Sequence, residues 1–155
     1  MRHLILLPLL LVICLPARAL DPVVPGQQYP GGSRVQLAVP PVSFRIPEGW
    51  VGLLPVGGEN FLMRSIREKG YFQVMVMGGS PTHLAGTLNG TLRIEYDIHL
   101  LPLAEATISD ARVSNRFAVT NTAEPFRARV VALSRAPQLG LAFVGMGPTA
   151  DEARF

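Results

Sequence analysis

The chain has 155 residues, 48% of them hydrophobic and only 16% charged, which is enough apolar material for one domain with its own core. A formal charge of +3 and a pI of about 9.6 fall towards neutrality once Arg2 and Arg18 are set aside with the N-terminal segment, so bulk charge argues against a nucleic-acid partner. Cys14 is the sole cysteine and lies in that same segment, which excludes a disulfide-stapled fold and thiolate chemistry from the remainder.

The N-terminal segment reads as an export signal. Met1-Arg2-His3 is a short basic start, residues 4–15 are almost wholly apolar, and Ala17-Arg18-Ala19 is a small-x-small cleavage site. The apolar run is shorter than the roughly 20 residues of a membrane span. Cleavage after Ala19 is expected, with a secreted or periplasmic location. Leu11-Val12-Ile13-Cys14 is similar to a lipobox, although Ile13 stands where a small residue is required. Lipidation at Cys14 is therefore the alternative, and membrane contact is expected only in that case.

Residues 20–33 hold three prolines and three glycines without periodicity and are expected to form a flexible leader. Residues 34–155 are expected to form a single β-rich domain. Within it, 34–39 is a first strand interrupted at Pro40-Pro41. Phe44-Arg45-Ile46-Pro47-Glu48-Gly49-Trp50 then reads as a strand with Phe44 and Ile46 on one face, stopped by Pro47 and turned by Gly49. Trp50, the only tryptophan, is placed to close one end of a core. Residues 61–66 and 71–77 are further strands, the second apolar on both faces and hence central.

The period then changes. Ser80-Pro81 pairs an N-cap with proline at the first helical position, Leu84, Ala85 and Leu88 follow at helical spacing, and Asn89-Gly90 stops the run. Residues 91–101 return to strict alternation, with Leu92, Ile94, Tyr96, Ile98 and Leu100 on one side and Arg93, Glu95, Asp97 and His99 on the other. That pattern predicts a strand with one wet face. Strands 111–120 and 126–134 flank a hairpin loop, and 141–146 is a last strand. Thr149-Ala150-Asp151-Glu152 has capping-box spacing, which announces a C-terminal helix; with three residues to follow, the expectation is either a helix cut short or a vestigial last turn. The expected class is α+β, with a mostly antiparallel sheet of six to seven strands and one or two short helices.

The segment Val42-Ser43-Phe44-Arg45-Ile46-Pro47-Glu48-Gly49-Trp50, followed by an apolar strand, a short helix and antiparallel strands, resembles the PsbP/DcrB-like group of small exported or lumenal α/β/α sandwich proteins. The resemblance implies an accessory or assembly role. It carries over no catalytic residues.

Four sets of residues are candidates for chemistry. Glu95, Asp97 and His99 are ligand-type side chains on one strand face, but alternate residues sit about 6.6 Å apart, so a closed metal site needs a ligand from another strand. Ser80 with His83 resembles a nucleophile and base, yet Pro81 removes the backbone N–H that an oxyanion hole needs, and no acid is committed to His83. Arg112 and Arg116 share one face of their strand, as do Arg127 and Arg129 of theirs. If the intervening apolar residues face a common core, the four form a basic stripe for an anionic lipid headgroup, a glycan or an acidic protein. Asp110 and Glu124 lie close enough in sequence to neutralise part of it. Finally, Trp50, Leu53 and Leu54 belong to an apolar run that is either an interaction patch or an end-cap of the core. The expected function is a non-enzymatic accessory or binding domain using the arginine stripe or the loop after Trp50, for an unknown protein or anionic envelope component. The alternative is a small envelope hydrolase or metal-binding protein. No cofactor, bound metal or catalytic residue is expected under the first reading.

Overall fold

In the computed structural model, residues 20–38, 41–65, 67, 69–94, 97–136 and 139–148 are described. The expected export signal, the lipobox cysteine, Glu95, Tyr96 and the capping box at 149–152 lie outside these residues. The α+β expectation is corrected: among the described residues strands take 55% and helix 8%, with one helix and a ten-stranded antiparallel sheet. The excess of strands comes from segments that the alternation alone does not subdivide.

The first is 20–33, which carries β1 (Asp21–Pro22) and β2 (Gln28–Pro30). Tyr29 is buried, and its hydroxyl accepts from the Val24 N–H at 2.7 Å and donates to the Pro22 carbonyl at 3.2 Å. The second is 91–101, which is two strands and not one. Here β8 (Leu92–Arg93) and β9 (His99–Pro102) pair antiparallel, Leu92 opposite Leu100, and the Ile94 N–H donates to the Ile98 carbonyl at 2.9 Å. Asp97 takes φ 61° in the turn. Because the chain reverses symmetrically, 92, 94, 98 and 100 still share a face, so a straight strand and this hairpin write the same alternation.

The remaining elements are β3 (Arg34–Leu37), β4 (Val42–Arg45), β5 (Val51–Leu53), β6 (Phe61–Ser65), β7 (Gly70–Met77), α1 (Pro81–Leu88), β10 (Thr107–Ser109), β11 (Arg112–Val119), β12 (Phe126–Ala136) and β13 (Leu139–Pro148). The large sheet runs β2-β5-β6-β7-β13-β12-β11-β9-β8, with β10 also on β11. A small sheet of β1-β3-β4 is separate. Two meanders therefore meet where β13 pairs with β7, and β7 is central as its two-sided apolar character requires.

Coverage of the large sheet is staggered. On one face, α1 packs Leu84, Ala85 and Leu88 against Val113, Phe117, Ala128, Val130, Ala142 and Val144. On the other, the small sheet packs Val35, Phe44 and Ile46 against Phe61, Met63, Val74 and Leu141. Each face is thus covered at a different end of the strand order. The turn Pro47-Glu48-Gly49-Trp50, with Gly49 at φ 80° and the Trp50 N–H donating to the Pro47 carbonyl at 3.2 Å, brings the chain from the small sheet into β5.

One irregularity fixes the outer edge of β11. Its first half pairs with β10 and its second with β9, while residues 103–106 arch between them. Asn115 fills the arch: its amide donates to the Leu88 and Ala104 carbonyls, both at 2.8 Å, and its Oδ1 accepts from the Arg116 N–H at 2.8 Å. Asn89, the helix C-cap, accepts from the Ala106 N–H at 2.6 Å. The end of α1 and the edge of β11 are locked together by these two asparagines.

Candidate functional site

The face of β11 and β12 opposite α1 carries the arginines. The register sets Arg116 directly opposite Arg129, Ala118 opposite Arg127 and Leu133 opposite Arg112. Since Val113, Phe117, Ala128 and Val130 are buried beneath α1, the alternation sends all four arginines to the other face. The small sheet ends short of this region, so Arg112, Arg116 and Arg129 are exposed and Arg127 is half-buried. Arg116, Arg127 and Arg129 are directly opposed, at about 5 Å, or next-but-one, at about 7 Å, within reach of one anionic group, whereas Arg112 lies further along β11, about 13 Å from Arg116.

Two further features shape this face. Gly145 and Gly147 of β13 stand opposite Arg129 and Arg127 and add no side chain beside them. Leu133, at 40% exposure, and Leu101 of β9, at 42%, stand on the same face at either side of the arginines. The two acids that threatened neutralisation do not pair with the stripe. Glu124 is 3.3 Å from Lys69, and Asp110 sits at φ 53° in the β10–β11 turn and makes no ion pair among the described residues. Arg112, Arg127 and Arg129 likewise make no ion pair among the described residues. Setting one arginine across from another costs sheet stability unless other groups compensate.

The other candidates fall elsewhere. Trp50 and Leu54 are half-buried against the small-sheet core, while Leu53 lies on the opposite face, across from Leu62. The β5 run is several strands from the arginines, so the structure does not join the two sets. Ser80 Oγ accepts from the His83 N–H at 3.3 Å as the N-cap of α1. The described residues give the His83 side chain no acid partner. Replacing Ser80 by alanine is expected to lower stability by about 1 kcal/mol, read from thermal unfolding, as the loss of a cap. Asp97 leaves the expected strand row for the hairpin turn, where it meets Arg93 at 2.7 Å, and His99 opens β9. Among the described residues no three His, Cys, Asp or Glu side chains are grouped to hold a metal.

Sequence reasoning missed two features. Leu101 and Leu133 join the arginine face only through pairing across strands. An apolar groove of about 290 Å³ lies where the small sheet ends, lined by residues of the small-sheet side and of β7 and β13. Nor does the apolar reading of β7 account for Gln73, which is fully buried with neither amide atom hydrogen-bonded. No protein-family model matches the chain, and no curated protein matches it.

Proposed function

We propose that this chain is an exported, non-enzymatic binding domain that holds an anionic component of the cell envelope, phosphate-bearing lipid headgroups, against the open face of β11 and β12. The observation that carries the reading is the register that gathers Arg112, Arg116, Arg127 and Arg129 on one uncovered face, three of them without an ion pair among the described residues. Guanidinium groups take phosphate oxygens in paired, charge-assisted hydrogen bonds. Exposed leucines beside them suit the boundary between headgroup and acyl chain. Export rests on the basic, apolar and small-x-small pattern of residues 1–19. The face provides contact of its own, whereas the sequence tied membrane contact to lipidation of Cys14.

Co-sedimentation with vesicles tests this. The protein is expected to bind phosphatidylglycerol vesicles, to release them as salt is raised, and to ignore phosphatidylcholine. The Arg127→Gln/Arg129→Gln double variant is expected to bind about thirtyfold more weakly, at roughly 1 kcal/mol per arginine near an anionic surface. Equal binding by that variant, or equal binding to both lipids, overturns the reading.

A further inference from the structure

The groove and the arginine face are connected by one cross-strand row. Val76 of β7 pairs with Leu141 of β13, Leu141 with Leu133 of β12, and Leu133 with Arg112 of β11. Val76 and Leu141 line the groove, with Leu37 and Leu54 facing them from the small-sheet side. Leu133 carries the apolar surface beyond the edge of the small sheet, and Arg112 ends it. Val76, at 47%, and Leu133, at 40%, are both exposed large apolar side chains. Leu141 between them is only 9% exposed, so the row is a groove wall opening at both ends. An apolar row that runs into a cation with no ion pair among the described residues fits an amphipathic ligand.

We infer that this row is a binding site for a single-chain anionic amphiphile, its acyl chain in the groove and its carboxylate or phosphate head on Arg112. Size and charge both support that occupant. The groove volume, 290 Å³, sits at the lower limit of ligand pockets, about 300 Å³, which suits one acyl chain and not a two-chain lipid. The row spans three strand spacings, about 14 Å, which an acyl chain of medium length covers. Among the described residues Glu59 is the one charged group lining the groove, so an anionic head is repelled there and attracted at Arg112, which sets the orientation of the ligand. The inference rests on the proposed function for the charge of the ligand, and adds that one lipid monomer leaves the surface and enters the protein.

Trp50 packs on the same core as Leu54 and Leu37, so its emission is a built-in reporter, with isothermal titration calorimetry counting sites independently. The protein is titrated with dodecanoate below its micelle concentration, with acetate as head alone and dodecyl maltoside as an uncharged amphiphile. Saturable one-to-one binding of dodecanoate is expected, with none of acetate and weaker binding of the maltoside. Arg112→Gln is expected to weaken dodecanoate about fivefold, and Val76→Glu roughly tenfold through a like charge at the groove. Both positions are exposed, and unchanged melting curves establish that the variants fold. Absence of saturation, equal binding by both variants, or equal affinity for the uncharged amphiphile overturns the inference. Vesicle binding without dodecanoate binding overturns the groove and leaves the proposed function standing. Saturable dodecanoate binding without vesicle binding overturns the proposed function and leaves the groove.

Discussion

Asn115→Leu is expected to lower the unfolding free energy by roughly 2–5 kcal/mol, because it removes every partner that the Asn115 side chain supplies to the arch. Two carbonyls, Leu88 and Ala104, lose their 2.8 Å donor, and the Arg116 N–H loses its acceptor. Asn115 is 5% exposed, so water does not readily replace what is lost, and each stranded buried polar group costs about 1–3 kcal/mol. Asn115→Asp keeps the size and the acceptor for Arg116, but sets a carboxylate oxygen against the two carbonyls. It is expected to be no better than leucine. Urea unfolding measures both variants, and amide hydrogen exchange at Leu103 and Ala106 is expected to accelerate as the arch loosens. A loss below about 1 kcal/mol for both variants contradicts the account of the two asparagines as the lock between α1 and β11. Since Arg116 adjoins Asn115, vesicle binding is expected to weaken as well.

The second large effect is in the other core. Phe61→Ala is expected to cost about 3–5 kcal/mol, a large part of the roughly 5–15 kcal/mol that holds a domain of this kind. Phe61 is fully buried, edge-on to Phe44 at 5.2 Å between ring centroids and tilted to Tyr29 at 6.3 Å. It therefore joins the small sheet to the large one and packs the edge strand β2 onto the same core. The ring fills the space that Gly52 leaves by having no side chain, since a Cβ there would lie 2.6 Å from Phe61 Cζ and Ile46 Cδ1, so deleting the ring empties a cavity beside the β5 backbone. Phe117→Ala, in the core beneath α1, is the control. The two phenylalanines are four strand spacings apart, about 19 Å, and share no packing cluster. Their effects on the unfolding free energy are expected to add within about 0.5 kcal/mol. Strong coupling between them contradicts two cores separated across the sheet.

Several elements are legible in the sequence because their signals are local. Ser80-Pro81 with Leu84, Ala85 and Leu88 specifies α1 by capping and by 3.6-residue spacing. Phe44 and Ile46 alternate with exposed Ser43 and Arg45 in and just after β4, and Gly49 supplies the positive φ that the following turn needs. The alternation around Arg112, Arg116, Arg127 and Arg129 is equally plain. Where the local signal is degenerate, the reading departs from the structure. Residues 91–101 alternate cleanly whether they run straight or fold in half, and the α+β class with six to seven strands follows from counting such segments once. Tyr29 has too little patterned chain around it to announce β2, because a three-residue strand has no period to detect.

The inward face of each element is written in its own residues: which side chains of a strand or helix turn inward is set by the backbone's geometry and by the cost of wetting apolar groups. Which face is left open is settled when the elements assemble. That depends on β13 returning to pair with β7, on α1 covering one end of the sheet and the small sheet covering the other. These are contacts between residues distant in sequence, and their register is a property of the assembled sheet, not of either strand. The pairing of Arg116 with Arg129, and the row from Val76 to Arg112, exist at that level alone.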